Sequence, residues 1–297
     1  MLKWWRKYIK SKVGVTGLVI FAVIVVAIIL APYVATTDPK QNSYPGFEPP
    51  ILRSHTHVNL FSGETELHGI HILGTNSVGE DVWSQLWYAG RVSLLIGVVA
   101  SVIITTIGTA VGMISGYFGG LVDEMIVRFC DMLMVLPRFP MMILMAAFLG
   151  PGIPSIMFVV IVFGWTAPTR AVRAQVLSVK QRTYVEAARS IGGSRRHIIW
   201  NHILPNVLGV AIANFVLETM RVIMLEASLS FLGLGDPLIL SWGMMLHYAQ
   251  AEGGFSVGAW WWFVPPGLMI CLLGASCNFI GTTINDRIVL KIKRGIG

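Results

Sequence analysis

Nine side chains have the types and spacing that chemistry would need. Four histidines, His55, His57, His68 and His71, fall in one polar stretch, and five ionisable residues, Arg128, Asp131, Glu218, Arg221 and Glu226, sit in apolar sequence. The H-x-H spacing of His55 and His57 suits chelation from an extended strand. With no cysteine or tight acidic cluster beside them, the four are read as solvated loop histidines, and no metal is expected. Charges within apolar segments are costly, so they face protein or a water path. Arg128 and Asp131, and likewise Glu218 and Arg221, stand three apart, close enough on a helix to neutralise each other. Helix pairing is the first reading of these residues and a translocation path the second. Glu226 has no ionic partner at helical spacing, so it pairs across helices or faces a cavity. The chain contains no GxxxxGK[ST] and no H-E-x-x-H, so neither nucleotide chemistry nor an intramembrane hydrolase is expected of it. Cys130, Cys271 and Cys277 lie inside apolar runs and read as small core residues.

A second constellation does mechanical rather than covalent work. In YVEAARSIGGSRRHIIWNHILPN, Tyr184–Asn206, the stretch from Glu186 to Ile191 is a good helix former. Gly192 and Gly193 end it, and Ser194 can cap a second short helix that stops near Pro205. Ala187 and Ala188 place small residues on one side, where another backbone can approach closely. The shape suits insertion into a groove on a partner protein.

The elements that must position these residues are membrane spans. Of the 297 residues, 55% are hydrophobic and only 12% charged, and mean hydropathy is +0.70. A soluble domain carries roughly a quarter charged residues, so lipid must solvate much of the exterior. A spanning helix needs about 20 apolar residues. Six candidates follow: about Val13 to Val34, Val92 to Ile114, Val122 to Leu149, a fourth ending near Pro168, Val207 to Leu234, and Trp260 to Ile284, kinked by Pro265 and Pro266. Thr75–Arg91 reads as a separate helix lying at the interface, with its tryptophans at headgroup level. The expected organisation is an N-terminal interfacial segment and first span (1–35), an outer loop with the interfacial helix (36–91), a five-helix core with a basic inner loop at 170–206 (92–285), and a tail (286–297).

The net charge of +7 is an orientation signal rather than a nucleic-acid footprint, because the Lys and Arg residues flank spans. Arg170, Arg173, Lys180, Arg182, Arg189, Arg195 and Arg196 face a single acid, Glu186, in the 170–206 loop. The tail carries Arg287, Lys291, Lys293 and Arg294, whereas Asp236–Gly258 has no Lys or Arg. Both termini and the 170–206 loop are therefore placed inside. WWRKYIK at the start reads as an interfacial anchor rather than a regulatory element, the apolar run after it as a retained first span rather than a cleaved leader, and Trp260–Trp262 as an outer aromatic belt.

The Tyr184–Asn206 segment resembles the loop of ABC importer permeases, which reads E-A-A, three residues, G, nine residues, I-x-L-P. Glu186-Ala187-Ala188, Gly192, Leu204 and Pro205 match it, and His202 stands where the pattern has Ile. LGTNSVGEDVWSQLWYAGRVSL (Leu73–Leu94), SGYFGGLVDEMIVRFCDMLMVLP (Ser115–Pro137) and EASLSFLGLGDPLILSWGMML (Glu226–Leu246) resemble the C-type permeases of the dipeptide/oligopeptide/nickel group. The resemblance covers about residues 73 to 285, and the tail departs from the group's pattern.

It implies an all-α, multi-pass type I ABC importer permease in the cytoplasmic membrane of a prokaryote. Implied partners are a second homologous permease, two cytoplasmic ATP-binding subunits and an extracytoplasmic substrate-binding protein. Glu186, Ala187, Ala188, Arg189, Ile191, Gly192, Leu204 and Pro205 would contact an ATPase. ATP and Mg would be bound by those partners, with no cofactor in this chain. Small peptides are the implied cargo, with oligosaccharide or a nickel chelate as alternatives. A secondary transporter is the rival class; it predicts related halves, of which the sequence gives no convincing sign.

Overall fold

The computed structural model describes residues 8–9, 11–40, 45–50, 55–58, 65–68 and 72–294. The anchor WWRKYIK apart from Tyr8 and Ile9, His71, and the side chains of the basic tail and of residues 55–58 and 65–68, His55, His57 and His68 among them, lie outside them. The elements, in chain order, are α1 (Lys12–Ile29), α2 (Ala31–Val34), β1 (His55–Val58), β2 (Thr65–His68), α3 (Val82–Phe118), α4 (Gly120–Val135), α5 (Arg138–Leu149), α6 (Ile153–Gly164), α7 (Thr166–Lys180), α8 (Thr183–Ser190), α9 (Arg195–Ile198), α10 (Leu204–Leu229), α11 (Trp242–Ala251) and α12 (Trp260–Arg294). Two π-helical turns, Ile199–Ile203 and Ser230–Leu234, flank α10. Among the described residues, five helical stretches are long and apolar enough to cross a membrane, and the bent pair α4–α5 makes a sixth when taken as one span.

Several boundaries move from where the sequence put them. The interfacial helix and the second span are one helix. Asp81 caps it by accepting from the Ser84 N–H at 2.9 Å, and nothing before Phe118 breaks it. At about 1.5 Å per residue these 37 residues reach about 55 Å, well beyond a hydrocarbon core of about 30 Å. The third span is broken by an 84° bend at Leu136–Pro137. Leu136 is extended, φ −67° and ψ 136°, because the residue before a proline is driven out of the helical region. The helix expected to stop at Pro205 does not stop. The wide Ile199–Ile203 turn leads directly into α10 with Pro205 in its first turn, where no N–H is needed. Arg195–Leu234 is therefore a single span. The α12 helix continues through Pro265 and Pro266.

Lipid offers no hydrophobic gain for bringing apolar helices together, so close backbone approach has to do it. Gly108, Gly112 and Gly116 form a GxxxGxxxG stripe on α3 against α7. A Cβ on them would meet Pro168 Cβ, the Thr169 carbonyl and Val176 Cβ at 2.6, 2.6 and 2.7 Å. At the other end of the bundle Ile24 and Ile28 of α1 join Val82, Leu86, Trp242, Trp262 and Leu273 in one core. A second core gathers Ile96, Ile104, Met142, Ile156, Phe163 and Val222. Arg91 donates to the carbonyls of Ile28 and Ile29 at 3.0 and 2.8 Å, satisfying acceptors that the C-terminus of α1 leaves unpaired.

The two ends of the bundle differ. At one end lie the start of α3, α11 and a short antiparallel ribbon, β1 with β2, pairing His55 with His68, Thr56 with Leu67, His57 with Glu66 and Val58 with Thr65. At the other lie α8, α9 and the C-terminal turns of α3, α7 and α12. Tyr8 belongs there too. It is buried beside Ala213 and Ile284, and its hydroxyl donates to the Gly14 carbonyl at 3.1 Å. The expected aromatic belt is mostly a packing device. Only Trp260 is exposed, Trp262 is buried, and Trp261 Nε1 donates to the Thr75 carbonyl at 3.1 Å. Cys130 and Cys277 are buried as expected, but Cys271 is exposed.

Candidate functional site

The basic end is built around α8, an eight-residue helix seated by one buried side chain and by the Tyr184 hydroxyl, which accepts from Asn206 Nδ2 at 3.2 Å. Val185 is fully buried among Tyr117, Val172, Val176, Val179, Ile198, Ile203 and Val207. Helices this short are marginal in water, so its termination matters. The Gly193 N–H bonds the Ala188 carbonyl at 3.0 Å and the Gly192 N–H bonds the Arg189 carbonyl at 3.1 Å. These are the two bonds of a Schellman cap, and Gly192 supplies its left-handed residue at φ 87°. Gly193, which the sequence reading used only as a breaker, has a separate job. A Cβ there would lie 2.5 Å from the Ala188 carbonyl oxygen. Ser194 then caps α9, accepting from the His197 N–H at 3.2 Å.

The outcome is a projecting tip. Ile191, at the turn, is 87% exposed. Glu186, Ala187, Arg189 and Gly192 are exposed around it, while Ala188 is half-buried rather than open. Pro205 is exposed and Leu204 half-buried, both on the neighbouring start of α10. The structure thus gathers the predicted residues at one end and on one surface. Ile191 is thus a large aliphatic side chain held out at a rigid turn. Lys180 ties the base of the projection to α3, its Nζ donating to the Tyr117 carbonyl at 2.7 Å.

The intramembrane charges pair differently from the simple i,i+3 reading. Asp131 pairs with Arg170 of α7, and Arg128 with Glu124 one turn earlier on α4. Asp123, which the sequence reading passed over, takes Arg173 in a two-point contact at 2.5 and 2.6 Å and also accepts from Ser115. Glu218 and Arg221 do pair as expected. Arg138, just past the α4–α5 break, donates to the Thr166 hydroxyl at 2.8 Å. The side chain of Arg128 is 75% exposed and those of Asp131 and Arg221 about half. Each charge facing lipid would cost about 2.5–3.5 kcal/mol at mid-bilayer depth, so this face calls for protein or water against it. Next to it an apolar cleft of about 470 Å³ opens between Phe139, Met224, Phe231, Leu232, Ile270 and Cys271.

Glu226 has no cation. It is 1% exposed, accepts from Ser230 at 2.9 Å and Ser241 at 2.7 Å, and lies 3.4 Å from the Ser93 hydroxyl. Ser241 also caps α11, and Ser93 accepts the Trp242 N–H at 3.1 Å. Glu226 therefore ties α3, α10 and α11 together at the ribbon end. Ser230 stands at i+4, so one partner was visible at helical spacing; the other two come from distant sequence. On α11, Tyr248 donates to the Pro237 carbonyl at 3.0 Å. Burial, then the carboxylates of Glu252, Asp236 and Glu80, push its phenol above the ordinary tyrosine value. Among the described residues outside the ribbon, no three His, Cys, Asp or Glu side chains gather as a metal site.

With this geometry in place, comparison with known proteins is informative. Residues 108–294 match the model of the binding-protein-dependent transport system inner membrane component, and residues 3–50 that of the N-terminal TM domain of oligopeptide transport permease C. The chain is 35% identical to the oligopeptide transport system permease protein OppC of Haemophilus influenzae, over 95% of this chain and 85% of that one. It is 32% identical to the dipeptide transport system permease protein DppC of Bacillus subtilis, over 98% and 85% respectively. The kinship extends well beyond residues 73 to 285, where the motifs lie.

Proposed function

Because the chain belongs to the family of binding-protein-dependent transport system inner membrane components, we propose that it forms one membrane-spanning subunit of an ABC importer of small peptides, with α8 as its coupling helix. The peptide assignment follows the similarity to oligopeptide and dipeptide permeases over nearly the whole chain. The observation that carries the coupling role is the Schellman-capped tip, with Ile191 held out at 87% exposure on a helix whose one buried side chain is Val185.

In this reading the basic end faces the cytoplasm, in a bacterial inner membrane, and two ATP-binding subunits receive the coupling helices of this chain and of a second permease. Closure of those subunits on ATP carries α8 with them. Its rigid seat on α3 and α7, through Val185 and the Lys180–Tyr117 bond, passes the displacement into the long helices of the bundle. Hydrolysis reverses the motion, and a binding protein delivers peptide at the ribbon end. Nucleotide chemistry belongs to the partners, since this chain has no phosphate-binding loop. The half-exposed charges of α4, α7 and α10 and the cleft beside them face the second permease and the path between the two chains. A peptide, with an ammonium and a carboxylate at its ends, is matched there by groups of both signs, Asp131 with Arg170 and Glu218 with Arg221.

The test uses the assembled complex in proteoliposomes. Ala187→Cys is expected to crosslink to an ATP-binding subunit, with ATP-driven uptake of a labelled tripeptide when the binding protein is present. Absence of that crosslink in a transport-competent complex refutes the coupling assignment. Uptake of a sugar or a metal chelate in place of peptide refutes the cargo.

A further inference from the structure

We propose that the β1–β2 ribbon binds one divalent transition-metal ion of the zinc class, on the face defined by His55, His57, Glu66 and His68. The argument rests on backbone register. Residues directly opposite each other across an antiparallel pair share a face, as do alternate residues along one strand. His55 pairs with His68 and His57 with Glu66, so these four occupy one face. Thr56 with Leu67 and Val58 with Thr65 make up the other. The eight paired positions therefore separate completely, with every residue of metal-ligating type on one face and none on the other. The H-x-H spacing alone could not show this, because it did not place Glu66 or His68 with the first two histidines.

Two physical points favour a metal over a merely polar face. Opposed residues of an antiparallel pair stand about 4.5–5.5 Å apart at Cα, close enough for both strands to contribute to one site. Imidazole with one carboxylate suits zinc, copper or nickel rather than magnesium or calcium. Second, a two-stranded ribbon with strands of four residues is marginally stable at best in water. No other described element packs substantially against this one. An ion held from both strands would tie them together, and its binding free energy would add directly to the ribbon's stability. The inference is independent of what the subunit transports.

The test titrates Zn(II) against the full chain in lipid nanodiscs, purified through a tag without histidine and stripped with chelator, using a competing chromophoric chelator. One equivalent per chain is expected. His55→Gln and His68→Gln should each raise the Kd at least tenfold, whereas His71→Gln should leave it within twofold. X-ray absorption at the zinc edge should show nitrogen and oxygen neighbours only, with imidazole scattering. Failure of the full chain to bind Zn(II), sulfur in the first shell, or equal weakening by His71→Gln would each overturn the proposal.

Discussion

Replacing Gly192 by alanine isolates one backbone conformation from everything else at the proposed coupling site. A Cβ at this position would meet nothing within 4 Å, so no steric term enters. What remains is the left-handed backbone at φ 87°, which costs an L-residue about 1–2 kcal/mol. The chain can escape that strain only by opening the cap, which forfeits the bonds to Ala188 and Arg189, worth about 1 kcal/mol each. Both routes lead to a similar penalty. It falls on α8, which is held to the bundle by one buried side chain, Val185, and by the Tyr184 hydroxyl, which accepts from Asn206. A change of 1–2 kcal/mol lowers the ratio of correctly shaped to opened tip about 5–30-fold. In proteoliposomes containing the complete transporter, ATP-driven uptake per ATP hydrolysed should fall by more than twofold and at most by that factor, with unchanged incorporation of the chain and unchanged thermal unfolding of the bundle. Gly192→Asn should stay within about twofold of the native protein, since asparagine tolerates the left-handed region. Native uptake by Gly192→Ala, or equal losses in both variants, would show that the cap is not what shapes the contact.

Three further expectations rest on other residues. Glu186→Arg adds positive charge to an exposed helix already bearing Arg189, and should abolish stimulation of the ATPase by loaded binding protein while leaving the chain in the membrane; persistent stimulation refutes the contact. Glu226→Ala leaves the buried Ser230 and Ser241 hydroxyls without their acceptor and should destabilise the bundle by about 1–3 kcal/mol in detergent melts, with Glu226→Gln close to native; equal melting of all three removes the tie between α3, α10 and α11. Gly112→Leu forces side-chain atoms toward the Thr169 carbonyl, 2.6 Å from the first added carbon, and should cost about 1–3 kcal/mol by the same assay; a native melting curve would mean that α3 and α7 do not pack through that stripe.

Span count and the position of the glycine-terminated helix α8 were legible in the chain itself, because both depend on short-range properties. A run of about 20 apolar residues has one low-energy solution in lipid, a helix with its backbone bonded internally. A helix former followed by Gly192 and Gly193 stops there whatever surrounds it. The break at Pro137 was equally local, although only its geometry made it a sharp bend rather than a continuous span.

Partners were another matter. Asp131 stands three residues from Arg128 yet pairs with Arg170, thirty-nine positions away, because the rotation of α4 against α7 sets which carboxylate meets which guanidinium. Glu226 draws its hydroxyls from three elements. The histidines of the ribbon acquire a common face with Glu66 only through strand register, which a one-residue slip would undo. Hydropathy and helix-breaking residues fix where the chain crosses and turns, since those forces act within a few residues. Helix rotation and strand register are settled by packing between distant segments, and they alone decide which charges and ligands come together.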